Sequence, residues 1–336
     1  MNAESSNLTK VNPDRNYSHW SDLTSEKDIY YCFRLILGRN PGSDEWRYHQ
    51  ARLGAELSST VRSYLGSAEF SKRGMFSHEL DLKDIRIADV NGASLYVNEQ
   101  DPVIGRSVLS GNYEPDVVAV FKRYLRPGMR IIDIGANIGF YTILSTVLVG
   151  GNGHVLAVEP NPSNTKLLEA SRLKNNFDNI EVAQVAASDH TGLLILNAGE
   201  SNGTTSKADS DTGVLEARSI VPCMKLDTLV DPNTSIDFVK IDVEGAEYLA
   251  LCGLKETILR CKPIIVSEFS PKSLPAFSGC GAVDYLAFFV NLGYKLGVIT
   301  RDGSITECGT DTAAVMEAFY ARHSDHIDIV AEPTLG

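Results

Sequence analysis

From residue 130 onward, short apolar runs alternate with amphipathic stretches of helical spacing, and this alternation restricts the fold more than any other feature of the chain. Strands are expected over 130–134, 154–158, 180–185, 236–241, 263–269 and 294–299. Helices are expected over 138–148, 163–175, 246–252 and 282–292. Apolar strands of this length separated by helices are buried on both sides, as in a mostly parallel sheet with helices on both faces. The polar stretch 191–222 reads as a hairpin with a Gly-, Ser-, Thr- and Asp-rich loop at 199–213. The expected fold class is α/β and Rossmann-like.

Open α/β sheets bind ligands outside the carboxyl ends of their strands. The run Ile131-Ile132-Asp133-Ile134-Gly135-Ala136-Asn137-Ile138-Gly139 ends one strand and opens a helix. Gly135 permits a tight turn and a close ligand approach, and Gly139 permits close packing of helix on strand. A dinucleotide fingerprint reads G-x-G-x-x-G. Here the spacing is G-x-x-x-G, and the Asn137 side chain obstructs a pyrophosphate. Asp133 places a carboxylate before the turn, which repels phosphate and suits an amino group or a sulfonium. The pattern points to a positively charged nucleoside without phosphates, as S-adenosylmethionine is. Nicotinamide-dependent hydride transfer is the competing chemistry, and Asn137 and Asp133 count against it.

The second strand ends Val158-Glu159-Pro160-Asn161. Glu159 suits the diol of a ribose in either cofactor; otherwise it is an acid interacting with a helix dipole. In the loop after the third strand, Ser188 or Asp189 accepts the adenine amine, or both are turn residues. Asp242 ends a strand beside the first, across the crevice from Asp133, and Glu244 follows at the strand-to-helix junction. Glu268 ends the next strand. Asp242, Glu244 and Glu268 are the candidates for assisting proton removal, with Lys240 as an alternative charge partner. His154 and His190 read as structural.

Acids outnumber bases 43 to 31, for a net charge of −12. This disfavours a nucleic-acid partner, which needs clustered Lys and Arg. The six cysteines form no CxxC pair, so reduced thiols in a cytoplasmic protein are expected rather than a zinc site. No obligatory metal is expected. No apolar run approaches the ~20 residues of a membrane span, and the N-terminus carries no apolar secretory core.

Residues 1–24 read as a mobile arm. Residues 25–80 form a small helical domain. There Ser25 and Asp28 start a helix carrying Ile29, Cys32, Phe33, Ile36 and Leu37, and Gly38 stops it. Ser43 is expected to cap a second helix, and Ser58 or Ser59 a third. Residues 81–128 hold a hairpin turning at Asn91-Gly92 and a lead-in helix from Pro115. Residues 129–305 are the nucleoside-binding domain, and 306–336 a C-terminal tail segment.

The segments "IIDIGANIGFYT", "VEPNP", "AASD" and "FVKIDVEGAE" resemble the FkbM family of class I S-adenosylmethionine-dependent methyltransferases, as does "GNYEPDVVAVFKRYLRPGM". The resemblance covers roughly residues 100–270. It implies a mostly parallel seven-stranded sheet and S-adenosylmethionine as cofactor. It implies that Asp133, Gly135, Ala136, Asn137 and Gly139 hold the methionine part, Glu159 and Asn161 the ribose side, and Ser188 and Asp189 the adenine. Asp242 then faces the reaction centre, and Tyr113 and Glu114 cover the cofactor. The segment "FRLILGRNPGSDEW…VRSYLGSAEF" resembles a small helical domain often fused to glycosyltransferases and methyltransferases of surface-glycan pathways. Together they imply O-methylation of a sugar hydroxyl in a glycan or glycolipid precursor. The alternatives are a lipid or secondary-metabolite acceptor, or a non-catalytic nucleoside-binding module. The helical domain is also where a docking partner or a second copy is expected to bind.

Overall fold

The computed structural model describes residues 22–72, 80–198, 203–207 and 219–334. The arm over 1–21, most of the 199–213 loop and the last two residues therefore lie outside the described residues. The chain divides between Glu79 and Leu80 into two compact units.

In the first unit the Ser25–Asp28 capping box is present, and it starts the helix Glu26–Tyr31. Ile29, Cys32, Phe33, Leu37, Tyr64 and Phe70 form its small core. Two expected caps differ. Gly42, not Ser43, is the N-cap of Ser43–His49, because the Glu45 side chain accepts the Gly42 N–H (3.2 Å). Glu56, not Ser58 or Ser59, precedes Leu57–Leu65, and the Ser58 hydroxyl donates instead to the Glu56 carboxylate (2.5 Å).

The second unit opens with the expected hairpin, β1 (Ile85–Val90) and β2 (Ala93–Asn98). Asn91 and Gly92 both take positive φ, 54° and 89°, the twist that a two-residue hairpin turn requires. The main strands follow: β3 (Arg130–Ile134), β4 (His154–Val158), β5 (Ile180–Ala183), β10 (Phe238–Ile241), β11 (Ile264–Phe269), β12 (Tyr294–Ile299), β13 (Ile305–Gly309) and β14 (Ile327–Pro333). They form one eight-stranded sheet in the order β13-β12-β14-β11-β10-β3-β4-β5. The pairings β10–β11, β10–β3, β3–β4 and β4–β5 are parallel. β14 pairs antiparallel with both β11 and β12, and β13 antiparallel with β12. The 191–222 stretch joins a separate sheet of β6 (Ala186–Ala187), β7 (Gly192–Ala198), β8 (Gly203–Lys207) and β9 (Ile220–Met224).

Two expectations change here. Among the described residues the sheet has eight strands rather than seven. The segment expected as a tail over 306–336 supplies most of β13, the helix Thr312–Arg322 and β14, and Tyr294–Ile299 is not the last strand. β14 inserts between β11 and β12, a pairing set by distant partners rather than by its own sequence pattern.

Alternate residues of each central strand feed two cores. Ile132, Val239 and Ile265 pack with Leu251, Ile258, Leu286 and Phe319 on one face. Ile131, Phe238 and Val266 pack with Val120, Phe121, Leu144 and Leu168 on the other. Apolar burial on both faces is the main stabilising term, and it fixes strand register, because a one-residue slip would exchange the faces.

The turn after β3 sits directly on the end of β10. A Cβ added at Gly135 would lie 1.8 Å from the Asp242 carbonyl oxygen, at a φ of +80°. One added at Gly139, where φ is +96°, would lie 2.8 Å from Leu168 Cγ. Gly135→Ala is therefore expected to lower stability in denaturant unfolding by at least roughly 2 kcal/mol, from the strained φ and the backbone clash. Gly151→Ala, with nothing within 4 Å, should change it by less than about 0.5 kcal/mol. Equal effects of the two would contradict the close approach.

Candidate functional site

A cavity of about 520 Å³ opens where β3, β4, β10 and β11 end. Its size is that of a small-molecule site. Of the residues singled out in the sequence, it is lined by Tyr113, Glu114, Gly135, Ala136, Asn137, Glu159, Lys240, Asp242, Glu244 and Glu268.

Glu159 is buried at the end of β4. One carboxylate oxygen accepts the Asn137 N–H and the other the Asn161 N–H, both at 2.8 Å. It thereby ties the turn after β3 to the turn after β4. Burial pushes its pKa up to about 7, against the pull of these backbone N–H groups. Each oxygen has capacity to accept a further hydrogen bond, so the carboxylate remains suited to a diol.

Lys240 is buried in β10 next to Asp133 of β3. Its Nζ donates to Asp242 Oδ2 at 3.0 Å and stands 4.8 Å from the centre of the Tyr141 ring. Burial disfavours its charge, but Asp242, Asp133 and Glu114 outweigh burial and hold it protonated. Asp133 Oδ2 accepts the Thr142 hydroxyl at 2.6 Å, while Oδ1 is buried without a hydrogen-bond partner. Glu114 accepts the Tyr141 hydroxyl at 2.6 Å, and burial raises its pKa. Tyr113 packs edge-on against Phe140, with ring centres 4.7 Å apart.

Glu247 shapes the turn that carries Asp242 and Glu244. Its Oε1 accepts the N–H groups of Val243 and Gly245, each at 3.0 Å, and its Oε2 is buried without a partner.

Five expected residues stand off the cavity wall. Asp133 is buried at the end of β3, and Gly139 precedes the helix Phe140–Val149. Asn161 caps the helix Pro162–Lys174 by accepting the Ser163 N–H (2.9 Å). The Ser188–Asp189 pair turns away: the Ser188 hydroxyl and the Asp189 carboxylate meet His190 Nδ1 at 3.1 and 2.7 Å. Beside the main cavity, a smaller one is walled instead by Val185, Ala186, Ala187 and Val243.

The sequence reading missed Tyr141, Lys272, Asp325 and His326, which also line the cavity, and Asp328 next to them. The last three belong to β14 or the turn before it. The alternation of Ile327, Ile329 and Ala331 was the signal for that strand.

The lining fits a cationic nucleoside. Carboxylates outnumber the basic groups in it, the turn geometry leaves no room for a side chain at Gly135, and Glu159 offers a diol acceptor. Among the described residues, no group of three His, Cys, Asp or Glu is arranged to hold a metal ion, and no helix is long and apolar enough to cross a membrane.

Comparison with known proteins adds a family. Residues 133–296 match the methyltransferase FkbM domain. Over 81 residues the chain is 32% identical to protein-L-isoaspartate O-methyltransferase 1 of Arabidopsis thaliana, covering 24% of this chain and 32% of that protein. The chain thus spans about a third of the length of that curated relative. Among solved structures, methyltransferase FkbM from Methylobacillus flagellatus KT is similar at 16% identity and a TM-score of 0.39, over 69% of this chain and 56% of that one. Aeropyrum pernix fibrillarin with bound S-adenosyl-L-methionine is similar at 15% identity and a TM-score of 0.38, over 75% and 84%.

A pH test follows from Glu247. Burial raises its pKa from an ordinary 4.5 to about 7. A raised carboxyl pKa stabilises the fold below the unfolded value, and that contribution is lost as pH rises from about 4.5 to about 7. Glu247→Gln keeps an oxygen for both N–H groups and carries no charge. Its melting temperature should match wild type near pH 5 and exceed it at pH 8, by up to roughly 3 kcal/mol of stability. Parallel pH profiles for the two proteins would contradict the assignment.

Proposed function

We propose, from the match of residues 133–296 to the methyltransferase FkbM domain, that the chain transfers a methyl group from S-adenosylmethionine to a hydroxyl of a small polar, sugar-like acceptor. The observation that carries the proposal is the carboxylate-lined cavity at the Gly135 turn, with Glu159 held at its rim by two backbone N–H groups. When bound, the cofactor supplies an activated methyl on a cationic sulfur.

The chain's residues then bind, orient and exclude water. Glu159 accepts the ribose hydroxyls. Gly135, Ala136 and Asn137 present backbone at close range. Val185, Ala186, Ala187 and Val243 offer a flat apolar wall for a base, in place of the contacts expected from Ser188 and Asp189. Asp242, Glu244 and Glu268 stand where an acceptor hydroxyl gives up its proton, and Lys240 fixes the Asp242 carboxylate. The acceptor side of the cavity carries Ser270, Lys272, Ser273 and His326, which suits a ligand rich in hydroxyls. The likeness of residues 26–73 to a domain of surface-glycan enzymes supports the same acceptor class.

Calorimetry with S-adenosylmethionine, S-adenosylhomocysteine and NAD tests the cofactor assignment. Wild type should bind the first two at micromolar concentration and NAD not at all. Glu159→Gln should weaken both by about tenfold or more, because a charge-assisted acceptor is lost. Preference for NAD, or no binding of either nucleoside, would overturn the proposal.

A further inference from the structure

Antiparallel pairing of β11 with β14 sets Asp328 directly opposite Glu268. Directly opposed residues project from the same face of a sheet, with Cβ atoms about 4.5–5.5 Å apart. It is the face of Asp133 and Lys240, since Ile131, Phe238, Val266 and Val330, two residues from each, share one core. At the carboxyl end of the sheet, one face therefore carries Asp133, Lys240, Glu268 and Asp328 in neighbouring strands. Asp242 follows β10 on the same side, and its N–H donates to the Ile134 carbonyl at 3.0 Å.

Further charges face this pair from each packed element. Tyr113 and Glu114 come from the segment before the helix Pro115–Tyr124, and Tyr141 from the helix Phe140–Val149. Glu244 and Glu247 follow β10, and His326 precedes β14 beside Asp325. The Lys240 ammonium is already engaged with Asp242. Two opposed carboxylates in such surroundings do not both ionise. Burial and then Asp242, Glu244, Glu247 and, last, Asp328 raise Glu268 far above the carboxylate range, and burial and then Glu114 and Asp242 push Asp328 up to about 7.

We propose that Glu268 and Asp328 share one proton in the free chain and release it when a sulfonium-bearing nucleoside enters, whereas the neutral thioether product leaves it in place. The inference rests on the S-adenosylmethionine reading above. It gives the pair a full cycle. The proton leaves to solvent as the cationic cofactor binds, and the pair is then an ionised base beside the methyl. The acceptor hydroxyl gives its proton to the pair as its oxygen takes the methyl, and the carbon–sulfur electron pair stays on sulfur. The pair ends protonated and the sulfur neutral, so the product state carries the charge of the free site. S-adenosylmethionine binding and acceptor chemistry are thereby coupled through one proton.

Calorimetry in buffers of different ionisation enthalpy at neutral pH counts the protons. S-adenosylmethionine should release roughly 0.5 to 1 proton per site, and S-adenosylhomocysteine about none. Both Asp328→Asn and Glu268→Gln should lose the release while still binding the two nucleosides. Equal proton exchange for the two nucleosides in wild type overturns the proposal and leaves the cofactor assignment standing. So does release that persists in both variants. Failure of both nucleosides to bind overturns the cofactor assignment, and the proposal with it.

Discussion

The site depends on one buried ammonium. Lys240 lies on the central strand β10, paired with β3 on one side and β11 on the other. Its charge is expensive to bury alone, and so are the carboxylates around it. Together they offset much of each other's desolvation: Asp242 is bonded directly, Asp133 is the neighbouring residue on β3, and Glu114 adds its field. The cation also lies over the Tyr141 ring, whose hydroxyl holds Glu114. Strand pairing, aromatic packing and the acid-lined wall thus converge on a single side chain. The negative charge in excess of this cation gives the cavity its character, attracting positive ligands and disfavouring phosphates.

Two carboxylates act on backbone rather than on ligand charge. Glu159 ties the turns after β3 and β4, and Glu247 holds the turn after β10. Each positions a loop at the strand ends through paired N–H acceptors. Burial of such acceptors makes the turns rigid and leaves the protein sensitive to pH, since each carboxyl must ionise against desolvation. A rigid rim is what the proposed methyl transfer requires, because such a reaction gains most from alignment and exclusion of water.

Much of this was readable before any coordinates. The Asn91-Gly92 hairpin, the Gly135 turn, the adjacency of β3 and β10, and the gathering of Asp242, Glu244 and Glu268 follow from local spacing and the rules of open α/β sheets. What escaped depends on distant partners. β14 is a short apolar alternation at the end of the chain, and nothing local says that it inserts between β11 and β12. With it, Asp328 and His326 were missed. Ser188 and Asp189 stand off the cavity for a related reason: β6 pairs with β9, which brings His190 of their loop to Cys223 and leaves Ala186 and Ala187 beside the site. Asn161 was placed in the site by motif, but its side chain is spent on capping a helix.

In the proposed function, the Gly135 turn and Glu159 form a seat for an S-adenosyl nucleoside. A crystal structure with S-adenosylhomocysteine tests it most directly. The ribose hydroxyls should lie within hydrogen-bond distance of the Glu159 carboxylate, the base against Ala186 and Ala187, and the sulfur facing Asp242. A nucleoside bound elsewhere, or bound here with Glu159 turned away from the ribose, would contradict it.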